Sequence, residues 1–485
     1  MTKLNNQRPV PSRKSSRLTL KGSAFFTLQY LILAWLAPAY VLSQLPSTSS
    51  PPAAILAVLQ VSSVALAWNG ASRNGWTRLV DSSFWLFVYV FFGVAPLVQR
   101  AANSLPWGAA QFPDPIWLIT DGLILLGCLA YVAGRFVYSM IRQRSRFVLA
   151  KQRILAWGLP LLLLSVAVFG FAYGWTGFVM HRSARSAAIL LAGGSTAVSQ
   201  VLSSIITTPL VVLLPALLLL RGKVGGGARI LHWVSLSAAV VVTFAIINFY
   251  SAPRFLAGTT LLSAGVAYVL LLRQRRVWLK LLPLAFAVGL MAAFPLSAMF
   301  RRGSATVSLE VTPMVESLAT SGDFDAYLQF ARSVDYVTHS GDMGGMNLVA
   351  ASAFWVPRLA WPAKPPHSGE ILAGYANQAY LNLSAPLWAE GMLAFGIPGL
   401  VLLLFSWGVF AGSVDYALLM DVRRGDGVFS ASALLATILL GFSVFFLRGA
   451  LMNGVAMLTP IVVLSILLSR PFAARKGLGQ EVRSS

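Results

Sequence analysis

Basic side chains that interrupt apolar sequence are the residues of this chain best suited to chemistry. Arg448 stands between two long apolar runs, and Arg254 occupies a short turn just after Pro253. Charged groups are costly at a membrane boundary, so those found there are functional candidates. Because a guanidinium stays charged and binds phosphate oxygens through paired hydrogen bonds, such arginines would suit a diphosphate leaving group. The alternative is that each side chain only reaches lipid headgroups.

A second pair of cations, Arg358 and Lys364, stands in the segment 354–366, which also contains four prolines and two tryptophans. Proline fixes φ and excludes a helix, so the segment is predicted to be rigid and extended. Tryptophan favours the boundary between lipid and water. We therefore expect the two cations, which are followed by His367 and Glu370, at the level of the headgroups. There they would act either as anchors or as ligands of a phosphate-bearing lipid.

The elements that position these residues are predicted to be membrane-spanning helices and a loop between two of them. Of all residues 57% are hydrophobic and only 11% are charged, against roughly a quarter charged in soluble domains. Apolar stretches long enough to cross the hydrocarbon layer recur along the chain, and a backbone in lipid must satisfy its own hydrogen bonds. The predicted spans are 24–43, 51–68, 80–98, 116–134, 154–174, 203–220, 230–249, 255–272, 281–300, 391–411, 428–447 and 450–469. The fold class is therefore an all-α, polytopic transmembrane bundle of about twelve helices, with 175–202 as a re-entrant or interfacial candidate.

The distribution of lysine and arginine predicts which helix ends face the cytoplasm. Segments on one side of the twelve crossings hold 27 of the 37 basic residues against four acidic ones, whereas the other side holds ten basic and nine acidic residues. The positive charge is an orientation signal that faces anionic lipid, which excludes nucleic acid as a partner. Both termini are predicted to be cytoplasmic, and the apolar stretch after the basic amino end is predicted to be a retained first span, not a cleaved signal. The predicted domains are a basic cytoplasmic tail 1–23, transmembrane helices 1–9 in 24–300, an extracytoplasmic loop 301–390, transmembrane helices 10–12 in 391–469 and a cytoplasmic tail 470–485.

The large outer loop is predicted to fold, because it is rich in aromatic residues that disordered segments lack. Apolar residues recur with helical spacing from Phe324 to Val337, which predicts an amphipathic helix. Asp323 is the expected cap at its start, and Ser340-Gly341 is the expected end. Such a helix would lie on the membrane surface or on the outer mouth of the bundle.

The remaining polar residues give weaker signals. The single cysteine, Cys128, lies in an apolar run, and the four histidines are far apart, so neither a disulfide nor a metal site is expected. Asp81 and Asp121 lie just inside apolar spans. A helix cap or a partner arginine is the favoured explanation for both.

Several short segments resemble the O-antigen polymerase (Wzy) type of oligosaccharide repeat-unit polymerase. Phe354-Trp355-Val356-Pro357-Arg358 and Trp361-Pro362-Ala363-Lys364-Pro365 are similar to that family's loop motif F-x-P-R-x-x-W-P-x-K-P. Further similar segments are Phe324-Asp325-Ala326-Tyr327, Asn382-Leu383-Ser384-Ala385-Pro386, Glu390, Phe395-Gly396-Ile397-Pro398-Gly399 and Leu447-Arg448-Gly449. The motif-level resemblance covers about 324–450, and it implies a GT-C-like bundle in the cytoplasmic (plasma) membrane.

The resemblance implies a glycosyltransferase acting on the outer face of that membrane. A growing chain would move from its polyprenyl diphosphate onto the next lipid-linked oligosaccharide unit. Because the diphosphate is already an activated leaving group, no nucleotide, metal or other cofactor is needed, and catalysis would rest on positioning and charge stabilisation. Flippase and chain-length regulator proteins are implied as further partners, together with the bilayer itself.

The same resemblance implies roles for individual residues. The diphosphate would be bound by Arg358, Lys364, Arg448 and Arg254. The proton of the acceptor hydroxyl would be taken by His367, Glu370 or Glu390, whichever lies within hydrogen-bond reach.

Three other functions stay open at this point. A ligase that passes a finished glycan to a different acceptor would use the same donor. A twelve-helix transporter or flippase is a second alternative, although such proteins usually contain internal repeats and broken helices at the midplane, which this sequence does not clearly show. A non-catalytic scaffold for envelope assembly is the third.

Overall fold

The computed structural model describes residues 26–43, 60–70, 77–109, 111–141, 147–180, 184–185, 187–188, 196–220, 224–248, 251–271, 314–424 and 427–471. Within these residues the regular secondary structure is helical apart from one short ribbon. The helices are α1 (Phe26–Tyr40), α2 (60–70), α3 (Leu79–Ala101), α4 (Asp114–Ile141), α5 (Lys151–Tyr173), α6 (Thr196–Leu220), α7 (Ala228–Ile246), α8 (Arg254–Leu271), α9 (Met314–Thr320), α10 (Ala326–Ser340), α11 (Met346–Ser352), α12 (Ser368–Tyr375), α13 (Leu387–Arg424), α14 (Ala431–Arg448) and α15 (Leu451–Leu467). The ribbon pairs β1 (Phe147–Leu149) antiparallel with β2 (Ser469–Pro471).

The apolar helices agree with the spans predicted from the sequence. In the described part of the chain eight helices are long and apolar enough to cross a membrane, and α1 and α15 are shorter apolar helices. The predicted span 281–300 lies outside the described residues, and 51–68 lies partly outside them. Of the doubtful stretch 175–202, α6 already includes the part from Thr196 onward. The all-α membrane fold is confirmed, and the number of twelve spans stays a prediction.

Helix α3 lies at the centre of the bundle, with every residue buried except the half-buried Arg100. It widens into a π-helical turn at Val90–Val94, just before Pro96, which has no backbone N–H to donate. The carbonyl of Phe92, four residues before that proline, instead accepts a hydrogen bond from the Gln60 side chain at 2.7 Å. A side chain of α2 thus satisfies the carbonyl that the proline leaves without a donor in the central helix.

Helices α4 and α13 approach each other through glycines. A Cβ added to Gly134 would lie 2.1 Å from the carbonyl oxygen of Phe405, and one added to Gly408 would lie 2.2 Å from that of Tyr131. Small residues let helix backbones come close in a membrane, where packing takes over from the hydrophobic effect as the driving force. This contact fixes α13, which carries part of the loop 314–386 at its start.

Helix α13 is kinked at Phe395 and Gly396, where the glycine has φ 62°. The kink frees two carbonyls of the preceding turn, and the loop uses them: Leu393 accepts from the Met343 amide at 2.8 Å and Ala394 from the Gly345 amide at 2.7 Å. The part of α13 before the kink therefore belongs to the loop, and the part after it belongs to the span.

The amphipathic helix predicted in the loop is confirmed as α10, which ends at Gly341 with φ 78°. The predicted cap is wrong, because Asp323 lies within the preceding turn Gly322–Phe324, which Ser321 caps by accepting from the Asp323 amide. The residue before α10 is Asp325, whose side chain makes no capping hydrogen bond. Of its two predicted positions α10 takes the bundle mouth, and it is covered, since all residues from 326 to 334 are buried. It packs on α4 and α13 on one side and on α12 on the other.

The described helix ends fall into two groups. The loop end gathers residues 314–386 with the ends of α3 and α14 and the starts of α8 and α15. The ribbon end gathers β1, β2, the start of α5 and the connection from α13 to α14, where Ser430 bridges to Val148. The candidate site residues named above lie at the loop end.

Candidate functional site

The carboxylate of Asp325 is the centre of the polar contacts at the loop end. It is completely buried at the start of α10. One oxygen accepts from Arg448 at 3.0 Å and from the Ser384 hydroxyl at 2.6 Å. The other accepts from the Trp107 indole at 3.1 Å and from Gln329 at 3.3 Å. Four donors from separate parts of the chain therefore fix this carboxylate, as a buried charge requires.

Arg448 is the last residue of α14, where the negative end of the helix dipole favours a cation. Its Nη2 also donates to the carbonyl of Gly322 at 2.6 Å, so the side chain is held by two acceptors. A quarter of the side chain remains exposed. Asp325 therefore orients the guanidinium, and the exposed part of the side chain is accessible to an anionic group.

Other arginines at the loop end are held in a similar way. Arg254 pairs with Asp323 at 2.9 Å. Arg100 pairs with Asp121 at 2.6 Å and also donates to the Tyr327 hydroxyl.

Arg332 differs from these arginines, because it forms no ion pair in the described part of the chain. It is 4% exposed and donates to the Gln329 side chain at 3.1 Å. Burial lowers the pKa of Arg332, and the charge of Asp325 opposes that shift. Asp325 therefore faces two buried or half-buried guanidinium groups, and positive charge is in excess around it.

His367 and Glu370 form a pair at the start of α12. The Nδ1 atom of His367 accepts from the Glu370 amide at 3.1 Å, which caps the helix, and Nε2 lies 4.0 Å from a Glu370 carboxylate oxygen. Burial lowers the pKa of His367, Glu370 opposes the shift, and Arg358 adds to it. The imidazole is therefore kept neutral near pH 7. Because Nδ1 accepts a hydrogen bond, the one proton of the neutral ring lies on Nε2, facing the Glu370 carboxylate, and only Nδ1 can take up a further proton.

A close backbone contact joins this pair to the Asp325 cluster. A Cβ added to Gly369 would lie 2.1 Å from the carbonyl oxygen of Leu383. The next residue, Ser384, is the one that donates to Asp325. The start of α12 therefore packs directly on the segment whose Ser384 contacts Asp325, the carboxylate that also binds Arg448.

The segment 354–366 is not extended, which corrects the prediction. It folds into successive turns, with the Val356 amide bonded to the Ala353 carbonyl and the Lys364 amide to the Trp361 carbonyl. The Lys364 ammonium donates to three carbonyls within 3.0 Å, those of Ala353, Phe354 and Val356. Proline restricts each φ but allows turns between the prolines, and the buried ammonium closes them.

The two cations of this segment therefore differ in availability. Lys364 is buried and uses its three N–H groups within the turn, so contact with a diphosphate would cost one of these bonds. Arg358 is exposed and donates one hydrogen bond, to the Lys364 carbonyl at 3.0 Å. Lys364 shapes the turn that presents Arg358.

Glu390 is fully buried and ties three elements together. Its carboxylate accepts from Ser368 at 2.6 Å, from Asn347 at 3.0 Å and from the Leu451 amide at 2.6 Å. The last contact caps α15, whose N-terminus favours negative charge. Among the three bases considered from the sequence, Glu390 is thus a structural carboxylate, and the His367–Glu370 pair is the more accessible one.

Sequence reasoning missed the role of three partners of Asp325. Trp107 has a left-handed backbone with φ 64°, rare for a bulky residue, and its indole packs against Gly322. Gln329 and Ser384 carried no chemical signal by themselves. Only the position of Ser384 in a motif-like segment pointed to it. In the described residues no three His, Cys, Asp or Glu side chains gather as metal ligands.

A second polar cluster lies deep in the bundle toward the ribbon end. Arg135 lies 2.9 Å from Asp415 and 3.4 Å from Asp81. Asp415 also accepts from the backbone amides of Val80 and Asp81, which caps α3 from a distant helix. The prediction that capping or a partner arginine explains Asp81 and Asp121 is confirmed.

No family model, curated protein or solved structure matches this chain. The fold and the site therefore define its class: an all-helical membrane protein with a folded loop that covers one end of the bundle. At that end, contacts between residues far apart in sequence hold several arginines against buried or half-buried carboxylates.

Proposed function

We propose that this protein is a glycosyltransferase of the O-antigen polymerase (Wzy) type. It would join polyprenyl-diphosphate-linked oligosaccharide units at the outer face of the cytoplasmic membrane, within a GT-C-like bundle of about twelve spans. The observation that carries the proposal is the contact of Arg448 and Ser384 with Asp325. These residues come from three separate segments, each of which resembles that family, and they meet at one carboxylate.

The reaction needs stabilisation of one departing group. The acceptor hydroxyl oxygen attacks the anomeric carbon of the donor, and the bond from that carbon to the diphosphate oxygen breaks. The electron pair leaves with the polyprenyl diphosphate, and the hydroxyl proton passes to a base. Arg358 and the exposed part of Arg448 stabilise the charge that develops on the diphosphate, while Arg254 and Arg332 add to the positive potential.

The base in this proposal is His367, oriented by Glu370. The Glu370 carboxylate near Nε2 keeps the ring's one proton on that atom, so the hydroxyl proton passes to Nδ1, which gives up its hydrogen bond from the Glu370 amide in that step. A lowered pKa keeps the ring neutral at neutral pH, as a base requires. Glu390 and Lys364 act as positioning residues, because their polar atoms are used within the loop.

The test is polymerisation by the purified protein in liposomes supplied with a synthetic polyprenyl-diphosphate oligosaccharide. We expect a ladder of longer glycans and release of polyprenyl diphosphate. Arg448→Gln and Arg358→Gln should each lower the rate about 100-fold. Arg423→Gln, at an exposed position on the opposite end of the bundle, should not lower it.

Other results would replace the proposal. Transfer only to a different glycan acceptor would identify a ligase. Movement of the lipid-linked unit across the bilayer without a new glycosidic bond would identify a transporter or flippase. Wild-type rates in both arginine variants would remove the proposed role of the cations.

A further inference from the structure

A groove of about 290 Å³ opens at the ribbon end, far from Asp325. Its apolar wall comes from Leu219 and Leu220 at the end of α6 and from Val428 and Phe429 between α13 and α14. Its polar wall includes Lys151 and Arg470. The groove therefore combines an apolar surface, at the level where the span α6 ends, with two cations.

The two cations have no partner among the residues that the structure describes. Within the described residues neither Lys151 nor Arg470 donates a side-chain hydrogen bond or forms an ion pair, and no carboxylate lines the groove. The nearby Asp421 is buried and accepts from the Ser430 amide at 2.6 Å. The described residues around the groove thus leave its positive charge uncompensated.

The surrounding backbone keeps these cations in place. Arg153 donates to the carbonyls of Leu467 and Ser469, which holds β2 against the start of α5. Helix α5 begins at Lys151 without a side-chain cap, so the positive end of its dipole adds to the charge of the side chains. The ribbon pairs β2, which carries Arg470, with β1, which leads directly into the helix that begins at Lys151.

We propose that this groove binds the headgroup phosphate of an anionic phospholipid. The negative charge of a phosphodiester would neutralise the positive charges of Lys151 and Arg470. The start of an acyl chain would pack on Leu219 and Leu220. The volume is at the low end of ligand pockets, which fits a headgroup with its glycerol but not a whole lipid. Basic pockets between helices at the cytoplasmic surface bind such headgroups, and the predicted cytoplasmic segments hold 27 of the 37 basic residues.

A lipid bound here would join three segments distant in sequence: the start of α5, the end of α6 and the connection from α13 to α14. A ligand that binds only the folded state raises stability in proportion to its occupancy. The lipid would therefore support the end of the bundle opposite the candidate active site. This site is independent of the proposed glycosyltransferase activity.

The test measures the melting temperature of the purified full chain in a neutral detergent. Phosphatidylglycerol, phosphatidylcholine and inorganic phosphate are titrated separately. We expect phosphatidylglycerol to raise the melting temperature by about 3 °C or more, and the other two to raise it much less. The double variant Lys151→Gln/Arg470→Gln should lose this difference, whereas Arg423→Gln, which removes one exposed charge at the same end, should keep it.

Three results would overturn the proposal. These are equal shifts with both phospholipids, an unchanged preference in the double variant, and a full shift with inorganic phosphate alone, which would indicate a simple anion site. Native mass spectrometry of the wild-type protein gives a second readout that does not depend on variants folding. It should detect retained phosphatidylglycerol in preference to phosphatidylcholine, and absence of that preference would also overturn the proposal.

Discussion

The Nη2 atom of Arg448 lies 3.0 Å from the Oδ1 atom of Asp325, although 123 positions separate the two residues. The contact joins the end of α14 to the start of α10. Because the same carboxylate binds Ser384 and Trp107, it also fixes two loop segments. The arginine at the bundle mouth is therefore oriented by the loop that covers it.

Replacing Asp325 with asparagine tests this relationship. Asp325→Asn leaves Arg448 without its counter-charge, so we expect a loss of about 3–5 kcal/mol in stability and of about 100-fold in polymer formation. Thermal unfolding in detergent and the liposome assay measure the two effects. Asp342→Asn, at an exposed loop position, is the matched control and should change little. Wild-type behaviour of Asp325→Asn in both assays would contradict the assignment.

Two glycines of α12 provide a matched pair. In Gly369→Ala the new methyl group would lie 2.1 Å from a backbone oxygen, so α12 must move away from Leu383 and Ser384. We expect a cost of about 1–3 kcal/mol and loss of activity. A Cβ on Gly374 meets nothing within 4 Å, and Gly374→Ala should be neutral or slightly stabilising. If both variants melt and react alike, the contact does not position the site.

The pH dependence of the reaction tests His367 as the base. Burial lowers the pKa of His367 in the folded protein, whereas an exposed histidine titrates near about 6.5. Polymer formation should therefore fall only below that pH, and His367→Gln should abolish this acidic limb. The stability that depends on neutral His367 is present above the unfolded pKa and is lost as the pH falls through the folded one, because the unfolded chain binds the proton more tightly. A half-maximal rate above pH 6.5 would argue against this base.

The predicted orientation can be measured by labelling cysteines in intact cells. In a Cys128→Ala background, Asp342→Cys lies in the loop and Arg423→Cys lies near the ribbon end. A membrane-impermeant maleimide should label the first and not the second, because the basic segments are retained in the cytoplasm. The reverse pattern would place the candidate site in the cytosol and exclude the proposed reaction.

The fold was predictable where the deciding forces are local. A long apolar run in lipid must form a helix, and the spacing from Phe324 to Val337 predicted α10 for the same kind of reason. The cluster around Asp325 was not predictable, because three of its four hydrogen-bond donors, Ser384, Arg448 and Trp107, lie 59 to 218 positions away. The turns of 354–366 were missed because they depend on where the Lys364 ammonium is buried. Proline restricts single residues and does not determine how the chain turns between them.

Binding of polyprenyl diphosphate to the purified protein tests the central claim most directly. The protein should bind polyprenyl diphosphate at least about tenfold more tightly than polyprenyl monophosphate. Arg358→Gln and Arg448→Gln should each remove most of that preference, since each removes a charge-assisted contact worth about 1.5–3 kcal/mol. Arg423→Gln should keep it. Equal affinity for the two lipids, or an undiminished preference in both loop-end variants, would contradict the account.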